Sequence, residues 1–458
     1  MPIALRSVIV SAKKALCLPA RLAIAVSLYA SSLTLSICAC KSPAQKNENS
    51  GPPAISAIVL PQPPPLPKKE MERLKTACTM WYDSSLKQNH FNGGMLVAKD
   101  GQVVFEQYAG TGHLPGNDTI NKNTPLHIAS TSKTFTAMAV LLLYQEGKLK
   151  LDDEFSKYFP EFNYPGVTVR CLLDHRSGLP NYIYFMESLG WDQRKMVTNP
   201  DVLNYLVTRK AELTNIAPPD LHFSYCNTNY ALLALLVEKI SGEKFPAFLN
   251  RVFFAPLQMK NSFVYQDADN NRIKPSYDWR GRLMTMTFLD QVYGDKNVYT
   301  TPRDLLIWDR ALSGNLLFTK ETLEAAYTPY SNEKPGIKNY GLGWRMDIYP
   351  DGRRIIFHNG WWHGSNSTFV RLLKDSASII VIGNRFTRAI YHAKALAGIF
   401  GEYFVAETDD ETDNVKVPDS LQPMLPIANS PEHNKVVQKE SGYKVNSPAK
   451  PPKRKIKE

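Results

Sequence analysis

Ser130 and Lys133, a hydroxyl and an amine three residues apart, stand in the stretch His127-Ile128-Ala129-Ser130-Thr131-Ser132-Lys133. On a helix such a pair shares one face, with β-carbons roughly 5–6 Å apart. An amine at that reach takes a proton from a hydroxyl once burial lowers its pKa, and the serine becomes a nucleophile. The free N–H groups of a helix's first turn lie where an oxyanion would then develop. The spacing alone means little, because Ser11/Lys14, Ser84/Lys87 and Ser241/Lys244 share it and read as surface accidents. Context separates Ser130. Small residues precede it, an apolar run through Leu141, Leu142 and Leu143 follows, and Gly147 supplies a helix stop.

Two further stretches carry polar groups at useful spacings. Tyr225 and Asn227 lie two apart, just ahead of an apolar helix, so an extended loop points both the same way. A phenol beside a lysine can pass a proton to a leaving group, and an amide can hold a substrate carbonyl. Taken alone, the pair equally describes a buried tyrosine with a capping asparagine. The second stretch is His358-Asn359-Gly360-Trp361-Trp362-His363-Gly364 at a strand end. Gly360 there lets a substrate backbone lie against the strand edge. His358 can donate to a carboxylate or to Tyr225, although a histidine at such a place is commonly an ordinary core or surface residue. Cys226 has no histidine pattern around it and reads as a buried spectator thiol.

The elements that must position these groups follow from periodicity. Residues 94–106 alternate around Asp100-Gly101, the signature of a β-hairpin. The Ser130 helix comes next, then a short helix within 167–180, stopped by Gly178 and Pro180. The chain to about residue 312 reads as mainly helical. Strands return at 341–345, 354–358, 367–373 and 378–382, and 389–404 closes as a helix. Strands at both ends with helices between predict an α+β domain over residues 71–406: one antiparallel sheet flanked by helices, with a mainly helical insert.

The ordered set Ser130/Lys133, Tyr225/Asn227 and His358/Gly360 resembles the penicillin-recognising serine hydrolases, which include class C β-lactamases, D-alanyl-D-alanine carboxypeptidases and related esterases. The flanking stretches 173–180 and 297–305 look similar too. The resemblance implies a β-lactamase/transpeptidase-like fold and acyl transfer through Ser130, with Lys133 and Tyr225 as catalytic proton carriers. It also implies substrate binding by Asn227, His358, Gly360 and Trp361, the oxyanion resting on the backbone N–H groups of Ser130 and Trp361. His358 stands where class C β-lactamases usually carry lysine. That favours carboxypeptidase- or esterase-like substrates over β-lactams. A site that acylates without turning over, a sensor or binding protein, is the competing expectation.

The composition of the 458 residues, 43% hydrophobic and 21% charged, is that of a globular protein. The net charge of +11 is concentrated at the two ends and comes with no nucleic-acid-binding motif, so no nucleic-acid partner is expected. Neither metal nor cofactor is expected, since no paired-histidine or Cys-x-x-Cys spacing occurs. Residues 1–40 read as an export leader ending in a lipoprotein-type Ile37-Cys38-Ala39-Cys40, with Cys40 as the lipidation site or the run left as an uncleaved anchor helix. Either places the protein outside a bacterial cytoplasm, held to the membrane. Residues 41–70 read as a Pro-rich linker and 407–458 as a disordered tail.

Overall fold

The computed structural model describes residues 56–314 and 316–403. The leader with Cys40, the first half of the linker and the tail lie outside them. The helices are α1 (Lys68–Trp81), α2 (Ser132–Gln145), α3 (Val169–Leu173), α4 (Tyr182–Ser188), α5 (Asn199–Thr208), α6 (Asn227–Ser241), α7 (Phe245–Leu249), α8 (Pro302–Ser313) and α9 (Lys320–Ala326). The first strands are β1 (Gly93–Lys99), β2 (Gln102–Ala109), β3 (Leu126–His127), β4 (Phe263–Val264), β5 (Ser276–Tyr277), β6 (Leu283–Met284) and β7 (Val298–Thr300). The last are β8 (Lys338–Tyr340), β9 (Arg345–Ile348), β10 (Arg354–Trp362), β11 (Ser365–Leu372) and β12 (Ala377–Gly383).

Seven of these strands form one antiparallel sheet in the order β2-β1-β12-β11-β10-β9-β8, so the first hairpin inserts beside the last strand. Strand alternation divides its side chains between two cores. Leu96, Ile356, Phe369, Ile380 and Ile382 face the core built with α2 and α6. Met95, Val97, Ile355, Val370, Ile379 and Val381 face the core closed by α1 and the 3-10 segment Arg388–Ile399. Burial on both faces is why β1 and β12 read as nearly unbroken apolar runs. The hairpin turn at Asp100 (φ 52°) and Gly101 (φ 78°) has the left-handed pair that a two-residue connection requires.

Four differences from the sequence reading have physical causes. Residues 341–344 form the turn between β8 and β9 rather than a strand. Gly343 has φ 86°, and a β-carbon on it would lie 2.2 Å from the Ala137 Cβ, so this turn packs directly on α2. Leu342 and Trp344 are apolar because the turn is buried. Second, the closing helix is of 3-10 type and spans Arg388–Ile399, ending short of residue 404. Third, the middle also holds the small sheet β3-β7-β4 and the hairpin β5-β6. Fourth, the described end of the linker lies on the domain: Ile58 N donates to Pro256 O at 2.8 Å, Arg310 bonds the Pro61 carbonyl, and α1 already begins at Lys68.

Candidate active site

The apolar sequence of α2 buries this helix nearly all round, from Ser132 to Leu141. Its entry is a 3-10 turn, Ala129–Thr131, with Ala129 at φ 46°, a conformation an alanine adopts only when its surroundings impose it. Those surroundings are β10 and β11. Ser367 Oγ donates to Ile128 O at 2.7 Å and lies 2.8 Å from Thr131 Oγ1. The turn is thereby clamped to the sheet with Ser130 at its centre.

Lys133 is fully buried, and its Nζ lies 3.1 Å from Ser130 Oγ. The amine also donates to Asn227 Oδ1 at 2.8 Å and to the backbone carbonyl of Asp295 at 2.8 Å. Those two oxygens can only accept, so they take two hydrogens of the amine. The remaining direction points at the serine. In the neutral amine that direction is a lone pair. Asn227 begins α6, and its engaged Oδ1 leaves the Nδ2 hydrogens as donors.

Tyr225 closes over this pair. Lys133 Nζ is 4.9 Å from its ring centroid, and the Arg345 guanidinium carbon is 5.2 Å from it. The conformation of the tyrosine loop is set by His175, whose ring packs 4.4 Å from that of Tyr225. His175 O accepts from Ser224 N at 2.8 Å, and His175 Nδ1 accepts from Cys226 N at 3.1 Å. Burial, with Lys133 and Arg345 nearby, holds His175 well below the usual histidine range, so it is a neutral acceptor. Cys226 is itself buried, its thiol directed 3.3 Å from Leu179 O and its pKa pushed up by burial.

The third stretch differs from its expected use. His358 is fully buried beneath the site. Its Nδ1 lies 2.6 Å from Asn359 O, which can only accept, so Nδ1 carries the proton and Nε2 accepts from the Tyr340 hydroxyl at 3.1 Å. Burial, with Arg345 and Lys133 close by, holds it well below its ordinary pKa. A neutral imidazole engaged in this way ties β10 to the end of β8, whereas the sequence suggested a donor to substrate carboxylate; a guanidinium, that of Arg345, lies beside Tyr225. Gly360 likewise makes room for the protein's own backbone, since a β-carbon there would lie 2.1 Å from Ile128 O and 2.5 Å from Ser367 Oγ. Gly360→Ala therefore displaces the Ser130 turn or β10. A displacement near 1 Å costs about 10²-fold in rate. The expected outcome is that loss in hydrolysis of an activated ester, with an unchanged circular dichroism spectrum.

Strand β9 pairs with β10 only up to Phe357. From His358 to Trp362, β10 is paired on one side by β11, and among the described residues no strand covers its other edge. Trp361 lies in this open stretch, where a backbone N–H can serve an extended ligand or an oxyanion.

Sequence reasoning did not find the Asp295 carbonyl, Ser367, Tyr340, Arg345 or the structural part of His175. The first acts through backbone and has no residue signature. His175 did lie in a stretch, 173–180, whose resemblance was legible.

The Beta-lactamase family model matches residues 80–399. Penicillin-binding protein 4* of Bacillus subtilis (strain 168) is 29% identical over 319 residues, 65% of this chain and 69% of that protein. Among solved structures, a penicillin binding protein from Bacillus halodurans matches with a TM-score of 0.60 at 22% identity, covering 71% of this chain and 98% of that one. D-alanine carboxypeptidase AmpC from Burkholderia cenocepacia matches with a TM-score of 0.60 at 20% identity, over 72% of this chain and 98% of that one. The two structural likenesses establish a β-lactamase/transpeptidase-like fold. With a family model spanning the sheet and its helical insert, and a serine, a lysine and a tyrosine gathered at one helix mouth, this chain belongs to the Beta-lactamase family of serine hydrolases.

Proposed function

We propose that this chain hydrolyses peptide, amide or ester bonds through an acyl-enzyme on Ser130, as carboxypeptidases and esterases do, rather than acting as a β-lactamase. The observation that carries this reading is the Lys133 amine, held by two pure acceptors and aimed at Ser130 Oγ. In the first half-reaction Ser130 Oγ bonds to the substrate carbonyl carbon, and its proton moves to the Lys133 amine. The carbonyl oxygen becomes an oxyanion received by the backbone N–H groups of Ser130 and Trp361; one such donor is typically worth ~10²–10³ in turnover. Collapse breaks the bond to the leaving group, which takes a proton passed from Lys133 through the Tyr225 hydroxyl. Water then adds to the ester, the same groups return its proton, and the acid departs from Ser130. Asn227 Nδ2 donates to the substrate's amide oxygen, and Gly360 keeps β10 close enough for the N–H of Trp361 to reach the site.

The neutral His358 supports the preference over β-lactams, because it supplies no fixed charge where class C enzymes use lysine. Arg345, its guanidinium carbon 5.2 Å from the Tyr225 ring, is the positive group we assign to a substrate carboxylate. The carboxypeptidase among the structural neighbours is in keeping with that substrate class. Stopped-flow hydrolysis of a chromogenic ester tests the reading: a burst followed by a steady rate is expected. A single stoichiometric release with no steady rate would make the protein an acylatable sensor instead.

We also place the protein outside the cytoplasm, tethered through a lipid on Cys40, on the strength of the leader sequence. Among the described residues no helix is long and apolar enough to cross a membrane. Cys40→Ser should move the protein from the membrane to the soluble fraction of expressing cells. Continued membrane association of that variant would point to an uncleaved anchor helix.

A further inference from the structure

The hairpin β5-β6 exposes apolar side chains on a rigid support. Its turn, residues 278–282, is organised around Asp278, which is 2% exposed. Asp278 Oδ1 accepts from Arg280 N at 2.9 Å and Arg282 N at 2.8 Å, while Oδ2 accepts from Arg282 Nε at 2.5 Å. Gly281, at φ 82°, donates its N–H to Asp278 O at 2.9 Å. The base is fixed equally well. Tyr277 N donates to Asn384 O at 2.7 Å, Tyr277 O accepts from Phe386 N at 2.9 Å, and Tyr277 Oη accepts from Leu114 N at 2.7 Å.

This support holds Trp279, Leu283 and Met286 in water, 40%, 60% and 47% exposed. Isolated surface hydrophobes are unremarkable, but here three fall within residues 279–286, on one ordered hairpin and its exit. Its charges have one sign. The single acid between residues 270 and 289, Asp278, is buried and bonded to Arg282. Arg280 lies over the Trp279 ring at 4.6 Å, and Arg385 donates to Trp279 O at 2.9 and 3.3 Å. Among the described residues no carboxylate pairs either arginine.

We infer that the tip of the β5-β6 hairpin docks on an anionic phospholipid bilayer, with Trp279, Leu283 and Met286 entering the headgroup layer and Arg280 and Arg385 meeting lipid phosphates. An indole beside cations is suited to the membrane–water boundary, where its ring is apolar and its N–H stays wet. Each arginine near an anionic surface adds attraction that falls off within a Debye length. The dock is independent of the acyl-transfer reading, since none of these residues touches Ser130 or Lys133.

Hydrogen exchange on the full chain tests it locally, whatever its N-terminus does. Vesicles containing phosphatidylglycerol should slow exchange of the amides of residues 279–285, whereas phosphatidylcholine vesicles should not. Trp279→Ala and, separately, Arg280→Glu should each lose that protection while exchange in α2 and hydrolysis of a soluble ester stay unchanged. Exchange at 279–285 that is indifferent to anionic vesicles would overturn the dock. So would protection by a soluble peptidoglycan fragment in their place, which would assign the hairpin to polymer substrate.

Discussion

Ser130→Ala should abolish hydrolysis of an activated ester and labelling by a fluorophosphonate or penicillin probe. The expected loss in kcat is on the order of 10⁶-fold, the size seen when a serine nucleophile is removed from a working constellation. The fold should be untouched. Ser130 is small and nearly buried, and its removal leaves Lys133 donating to Asn227 Oδ1 and Asp295 O as before. The clamp between the turn and the sheet runs through Thr131, Ser367 and Ile128, not through Ser130. A steady-state assay paired with a thermal melt checks both halves. An unchanged Tm with residual probe labelling elsewhere would reassign the nucleophile.

Lys133→Ala should match that kinetic loss and differ in stability. The lysine is fully buried and satisfies two oxygens, on Asn227 and on the loop at Asp295, that lose their protein donor once it is gone. Each orphaned buried acceptor costs about 1–3 kcal/mol. The lost aliphatic stem leaves a cavity as well. Against these stands the relief of an amine that no longer has to be desolvated, which offsets part of the penalty. The net expectation is a lowered Tm with kcat down by the same order as in Ser130→Ala. The double variant Ser130→Ala/Lys133→Ala should be no slower than either single one, because the two groups act as a unit. Rates that multiply in the double variant would mean the amine serves another step.

How much of this was legible beforehand depended on which atoms carry the task. The hairpin was visible because Asp-Gly in a two-residue turn has few alternatives, and both residues do take left-handed φ. Helix α2 was visible because an apolar run that long after small residues must be buried. The three site stretches were visible as an ordered set, though each was weak alone. What stayed hidden depended on backbone or on packing partners distant in sequence. The glycines at 341 and 343 and the apolar Leu342 and Trp344 suggested a strand; they form a turn that lies on α2. Gly360 suggested room for a ligand, and the neighbour it admits is Ile128. His358 suggested a donor on the surface of the site, and tertiary burial made it a neutral acceptor for Tyr340. The acceptor at Asp295 is a carbonyl that every residue possesses, so no pattern of side chains marks it.

Where the acyl group goes decides the mechanism most directly. Intact-mass measurement of the chain, quenched within the burst of an activated ester and followed by peptide mapping, should find one acyl group per protein, on Ser130. Acylation of Cys226 or of any lysine, or turnover with no covalent adduct at any time in the burst, would contradict it.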